Sequence, residues 1–187
     1  MTAYAGGELR VEVATAQGMH VLGTRLAGVL RAGDLVVLTG ALGAGKTTLA
    51  RGIGAGLGVR GAVTSPTFVV ARVHPSAVGG PALVHVDAYR LESLAEVDDL
   101  DLDASLEESV TVVEWGAGLV EELTEARLEI EMSRASASSA SSASSASSAS
   151  LASLASTGQP DGDETRTVAV RRVGDRWAGT DLAALLH

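Results

Sequence analysis

The sequence predicts an α/β fold, a three-layer sandwich whose mixed, mainly parallel sheet finishes in a C-terminal antiparallel hairpin. Three observations predict it. Short runs of Val, Leu and Ile alternate with helical stretches, the arrangement that layers helices against a sheet. The run Leu35-Val36-Val37-Leu38 is apolar at every position, as strands buried on both faces are. Two late runs, Leu128–Met132 and Thr165–Val173, alternate apolar and polar residues instead, as the strands of a hairpin do.

Taken in order, Leu9–Val13 alternates weakly and reads as a first strand. Thr15 is placed to cap a helix reaching about Leu30, with Val21, Leu22, Leu26 and Val29 on one stripe. Gly33-Asp34 turns the chain into the apolar run at Leu35, and Gly40–Thr47 leads on into a short helix ending near Leu57. Gly52, Gly54 and Gly56 each cost that helix about 1 kcal/mol relative to alanine. It is assigned from the motif that opens it. Val69–Val73, Leu83–Val86 and Val110–Val113 predict three more strands, the first followed by turn residues from His74-Pro75-Ser76 to Gly79-Gly80-Pro81. An acidic stretch between the last two predicts a helix, with Ser93 and Glu96 at capping-box spacing. Ala135–Ser156 is almost pure Ser and Ala with a Ser-Ser-Ala period. It has no apolar face with which to offset its entropy, so a flexible insertion is expected in one domain spanning residues 1–187.

Composition excludes several function classes. Cysteine is absent, so disulfides, thiolate metal sites and thiol nucleophiles are out. No signal-peptide pattern opens the chain, and no run of about 18 uncharged apolar residues suits a membrane span. A soluble cytoplasmic protein without a membrane partner is expected. Its formal net charge of −9 disfavours direct, strong binding to a phosphate backbone, so any dealing with nucleic acid should pass through a partner.

The chemistry is concentrated at Gly40-Ala41-Leu42-Gly43-Ala44-Gly45-Lys46-Thr47, which satisfies G-x-x-x-x-G-K-S/T in full. Glycines let such a loop take backbone angles closed to residues with a Cβ, so its N–H groups converge on a β-phosphate at the start of a helix. Lys46, the single lysine among fourteen basic side chains, supplies a charge to the β and γ oxygens. Thr47 supplies a hydroxyl for Mg²⁺, and Thr48 follows it at the loop's end. A phosphate-cleaving site also needs an acid for the metal and a group to position water. Asp87 and Glu114 each end an apolar strand, where the ligand crevice of an open α/β sheet lies. Spacing alone leaves open which of them holds the metal. His85, two residues before Asp87, reads as a buried, hydrogen-bonded structural histidine, while Tyr89 and Trp115 suit either core or partner contacts.

The set formed by Gly40–Thr48, Thr64-Ser65-Pro66-Thr67-Phe68, His85-Val86-Asp87-Ala88-Tyr89-Arg90-Leu91 and Val113-Glu114-Trp115 resembles the TsaE family in order and spacing. Nearly the whole chain takes part, excepting the Ser/Ala tract. The resemblance implies a P-loop NTPase-like fold with a family-specific sheet, and ATP hydrolysis supporting a TsaB–TsaD complex. That complex transfers threonylcarbamoyl from its adenylate to the adenosine beside the anticodon of tRNAs reading codons that begin with A. Hydrolysis here would reset it between turnovers, and tRNA would be met only indirectly. The resemblance further implies Mg²⁺ on Thr47 and Glu114, phosphates on Gly43–Thr48, hydrolysis served by Asp87, and a γ-phosphate-sensing switch at Thr64–Phe68. It departs from the family at Ala41, where an acid is common, at Phe68, where tyrosine is, and near Met19, often a threonine.

Rival readings are a GTPase, a small-molecule P-loop kinase and a nucleotide-dependent clamp with little turnover. Guanine specificity usually comes from N-K-x-D, which a chain without asparagine lacks. A kinase wants an arginine-bearing lid, whereas the arginines are scattered in the sequence.

Overall fold

The protein is described by a computed structural model covering residues 8–91, 96, 106–134 and 165–186. Its strands are β1 Leu9–Val13, β2 Leu35–Gly40, β3 Ala71–His74, β4 Ala82–Asp87, β5 Ser109–Glu114, β6 Arg127–Arg134 and β7 Arg166–Val173. They form one sheet in the order β1-β7-β6-β2-β5-β4-β3. The four central strands β6, β2, β5 and β4 run parallel, and β7 pairs antiparallel with β6 as the expected hairpin. At the edges, β1 adds antiparallel to β7 and β3 to β4. The mixed, mainly parallel sheet is therefore as the apolar runs predict.

Two helices cover one face: α1 Ala16–Ala27 and α2 Lys46–Leu57. Val36 and Leu38 of β2 point into their core, with Val110 and Val112 of β5 and Leu128, Ile130 and Met132 of β6. Leu35 and Val37 point the other way, to Val84, Val86, Val113, Leu106 and Val120. Strands β2 and β5 are thus covered on both sides, which is why they carry no polar alternation.

Differences from the sequence reading have local causes. Helix α1 stops at Ala27, because Gly28 caps it through bonds to the Arg25 and Leu26 carbonyls. Its buried stripe is Met19, Leu22, Gly23 and Leu26, while Val21 faces outward. Strand β3 starts at Ala71, not Val69, since the Pro66 carbonyl accepts from both Val69 and Val70 and folds them into a turn. Val70 there takes φ 65°. His74 ends β3 and is buried rather than opening the turn.

The costly glycines of α2 have a tertiary reason. A Cβ on Gly52 would lie 2.1 Å from the His20 carbonyl oxygen, and one on Gly56 would lie 2.5 Å from the Ala27 side chain. The two helices touch backbone to backbone, and Thr24 Oγ1 donates to the Gly52 carbonyl at 3.2 Å. At the C-terminus, Arg176 forms a bidentate pair with buried Asp34 (3.0 and 2.9 Å) ahead of the short helix α3, Leu182–Leu186. Glu96 is helical and exposed. The rest of the predicted acidic helix around Ser93, and the Ala135–Ser156 tract, lie outside the described residues.

Candidate functional site

Each strand that reaches the front of the sheet changes character at its last step. On the α1/α2 face, β5 presents Val110, Val112 and then Glu114, and β4 presents Leu83, His85 and then Asp87. Asp87 and Glu114 are direct register partners, so both acids stand together at the carboxyl ends. Beside them β2 ends at Gly40, with φ 137°, where a Cβ would meet the Met132 carbonyl oxygen at 2.3 Å. Gly45, with φ 109°, precedes α2 and has no side chain with which to cap the amides at the front of the helix.

Lys46 is almost fully buried; its Nζ donates to the Gly40 and Ala41 carbonyls at 2.8 and 3.0 Å. It also lies 3.7 Å from the centre of the Trp115 ring. Burial holds this ammonium below the usual lysine range, and the charges of Glu114 and Asp87 partly oppose the shift. Trp115 reaches that position through left-handed backbone at φ 62°, rare for a bulky residue, while its N–H donates to the Leu38 carbonyl. Tyr89 packs on its ring, centroids 5.2 Å apart, with its own side chain largely exposed. The aromatic pair belongs to the mouth of the site rather than to the core.

Both Glu114 oxygens accept from Thr47 Oγ1, at 2.9 and 3.1 Å. His85 Nε2 lies 2.9 Å from Glu114 Oε1 in full burial, so the structural histidine expected from sequence is also what orients an acid of the site. Asp87 Oδ2 accepts from Thr67 at 2.6 Å and Ser65 at 3.4 Å; its Oδ1 accepts from the Tyr89 amide. A cavity of about 240 Å³ joins Gly43, Gly45, Lys46, Thr47, Asp87 and Glu114, with Leu42 and Thr48 on its wall. Ala44 is buried beneath the loop, and Gly40 contributes its carbonyl to Lys46. Of the switch-like residues, Ser65 and Thr67 line the cavity and Pro66 is buried behind them. Thr64 accepts instead from Arg72, 3.0 Å away, and Phe68 projects outward, 88% exposed.

Among the described residues no group of three or more His, Asp or Glu side chains could enclose a metal unaided. Mg²⁺ binds through few protein oxygens and takes the rest from phosphate and water. The hard oxygens of Thr47 and Glu114, already in contact, fit it. Arg166 also lines the cavity and was not picked out from sequence, being 120 positions beyond Lys46. The signal available was the break in the apolar alternation at the start of β7.

This glycine loop between a central parallel strand and a helix, facing acids at neighbouring strand ends, defines a P-loop NTPase-like protein. The model of the family described as "Threonylcarbamoyl adenosine biosynthesis protein TsaE" matches residues 13–142, and the chain belongs to that family. It is 57% identical over 168 residues to the Streptomyces coelicolor protein named "tRNA threonylcarbamoyladenosine biosynthesis protein TsaE", covering 89% of this chain and 99% of that one. The Mycobacterium tuberculosis H37Rv protein of the same name is 54% identical over 124 residues, 63% of this chain and 74% of the relative. Among solved structures, Bacillus subtilis YdiB superposes with a TM-score of 0.65 at 25% identity, covering 98% and 97% of the two chains.

Proposed function

We propose that this protein serves tRNA threonylcarbamoyladenosine biosynthesis as a Mg²⁺-dependent ATPase acting on a TsaB–TsaD-type complex in the cytoplasm, with tRNA engaged only through that complex. The observation that carries the reading is the conjunction of Thr47, Glu114, Lys46 and Asp87 around one cavity beside an uncapped helix start. In this reading Lys46 exchanges its bonds to the Gly40 and Ala41 carbonyls for oxygens of the β- and γ-phosphates. Loop amides from Gly43 to Thr48 hold the phosphate chain. Glu114, kept in orientation by His85, and Thr47 would hold Mg²⁺, which when bound would supply positive charge to the transferred phosphoryl group. Asp87 orients the attacking water, and its bonds to Ser65 and Thr67 tie that task to the Thr64–Thr67 loop.

Calorimetry with Mg²⁺-ATP and a turnover assay with and without the purified TsaB–TsaD complex test this. Wild type should bind ATP, Lys46→Ala should lose measurable affinity, and hydrolysis should rise strongly when the complex is added. Retained affinity in Lys46→Ala sinks the site; ADP release that requires a small-molecule acceptor sinks the reaction.

A further inference from the structure

We propose that a second cavity, between α2 and the connector that follows it, is a docking site for an acidic segment of a protein partner. It has a volume of about 400 Å³ and is bounded by α2 on one side and by Val59–Thr64 on the other. Among the described residues, none that lines it also lines the nucleotide cavity. The sequence sets the charge of this region. From Leu35 to Val86 there is no Asp or Glu, although the whole chain carries a formal net charge of −9. The connector and the surfaces beside it are therefore a cationic patch on an acidic protein.

Two guanidinium groups converge on consecutive residues of that connector. Arg51 Nε donates to the Val63 carbonyl at 3.1 Å, and Arg72 Nη1 donates to Thr64 Oγ1 at 3.0 Å. Each bond uses one of several N–H donors, so it fixes the planar fork and leaves further donors for a carboxylate. Arg60 is exposed on the same connector, and His20 of α1 adds to the cationic rim. The connector is itself held in place, since the Arg60 amide donates to Pro75 and the Ala77 amide to Gly58, both at 2.8 Å. Below the rim the walls are apolar, formed by Ala55, Val59, Ala62 and Val63. A Cβ on Gly54 would lie 2.6 Å from Val63 Cγ2, so it is a bare turn of α2 that lets the connector lie against the helix. Cations around an apolar floor complement a peptide whose carboxylates flank an aliphatic side chain. A nucleic-acid strand fits less well. No Phe, Tyr or Trp lines the cavity to stack a base, and the net charge of the chain opposes a long polyanion.

Fluorescence anisotropy with a labelled peptide of repeated Glu-Glu-Leu units tests the site, beside a Gln-Gln-Leu counterpart and a single-stranded RNA of equal length. Wild type should bind the acidic peptide, less tightly as salt rises, and should bind the other two at least about tenfold more weakly. Arg51→Gln and Arg60→Gln should each lose about tenfold in affinity for the acidic peptide, with melting curves showing that both are folded. Arg25→Gln removes an exposed charge from the last turn of α1, outside the cavity, and should bind as wild type does. Arg60 is exposed, so Arg60→Gln decides alone should Arg51→Gln fail to fold. The docking site is overturned if wild type does not bind the acidic peptide, or binds the glutamine peptide or the RNA as tightly. Wild-type affinity in a folded Arg51 or Arg60 variant, or an equal loss in Arg25→Gln, overturns it too.

Discussion

At the scale of single residues, the proposed reading assigns holding a nucleotide and cleaving it to different side chains. Lys46 and the glycine loop line the cavity, whereas Glu114 touches Thr47 with both oxygens and is braced by His85. Glu114→Ala is expected to lower Mg²⁺-dependent hydrolysis by about a hundredfold while changing ATP affinity far less. Turnover measured beside calorimetric affinity checks it, and equal losses in both would reassign the residue. Lys46, Thr47, Asp87 and Glu114 were all legible in the sequence, because motif spacing and strand ends mark them. The partnerships were not: Asp87 with Thr67, Glu114 with His85 and Lys46 with Trp115 each join residues on different elements. The register of β4 against β5, the turn at Pro66–Val70 bonded to the Asp87 amide and the left-handed backbone at Trp115 bring them together.

Among elements, the contact of α1 with α2 sets how close the loop's helix sits to the sheet's cover. Gly52→Ala gains helix propensity yet drives a Cβ into the His20 carbonyl, so a net loss of about 2 kcal/mol is expected in urea unfolding. A neutral or stabilising result would show that the helices can separate without cost. The turn before β6 offers a test by pH. Burial alone would raise the Glu121 carboxyl, but the Gly118 and Val120 amides at 2.7 and 3.1 Å, with the charge of Arg127, hold it below the usual range. A lowered carboxylate adds stability at pH above its ordinary value, and that stability is lost as pH falls through the folded value. Glu121→Gln should therefore lower Tm by about 1–2 °C at pH 7, the modest size reflecting its exposure, and the gap should close in acid. A gap independent of pH would assign the effect to packing.

At the scale of the whole molecule, the front of the sheet gathers Lys46, Asp87 and Glu114, while the buried Asp34 away from it is paired with Arg176. Among the described residues no helix is long and apolar enough to cross a membrane. Because Arg134 and Arg166 are paired, the ends of β6 and β7 sit side by side, and a short connection could join them. Excising Ala135–Ser156 should leave Tm and ATP affinity nearly unchanged. A clear drop in either would show that the tract packs on the rest of the chain.

By itself the sequence determined the layered α/β class, the parallel centre, the closing hairpin, the glycine loop and the two acids at strand ends. Each of these is a local matter of periodicity, of residue spacing, or of glycine where a Cβ cannot fit. Tertiary structure alone decided that β1 closes onto β7, that Arg176 locks to Asp34, that α2 spends glycines on α1, and that two arginines far along the chain arrive beside Gly43 and Gly45. These contacts join residues remote in the chain, where no repeat or spacing records which side chains will meet. They exist only once the strands have paired and the helices have packed on the sheet.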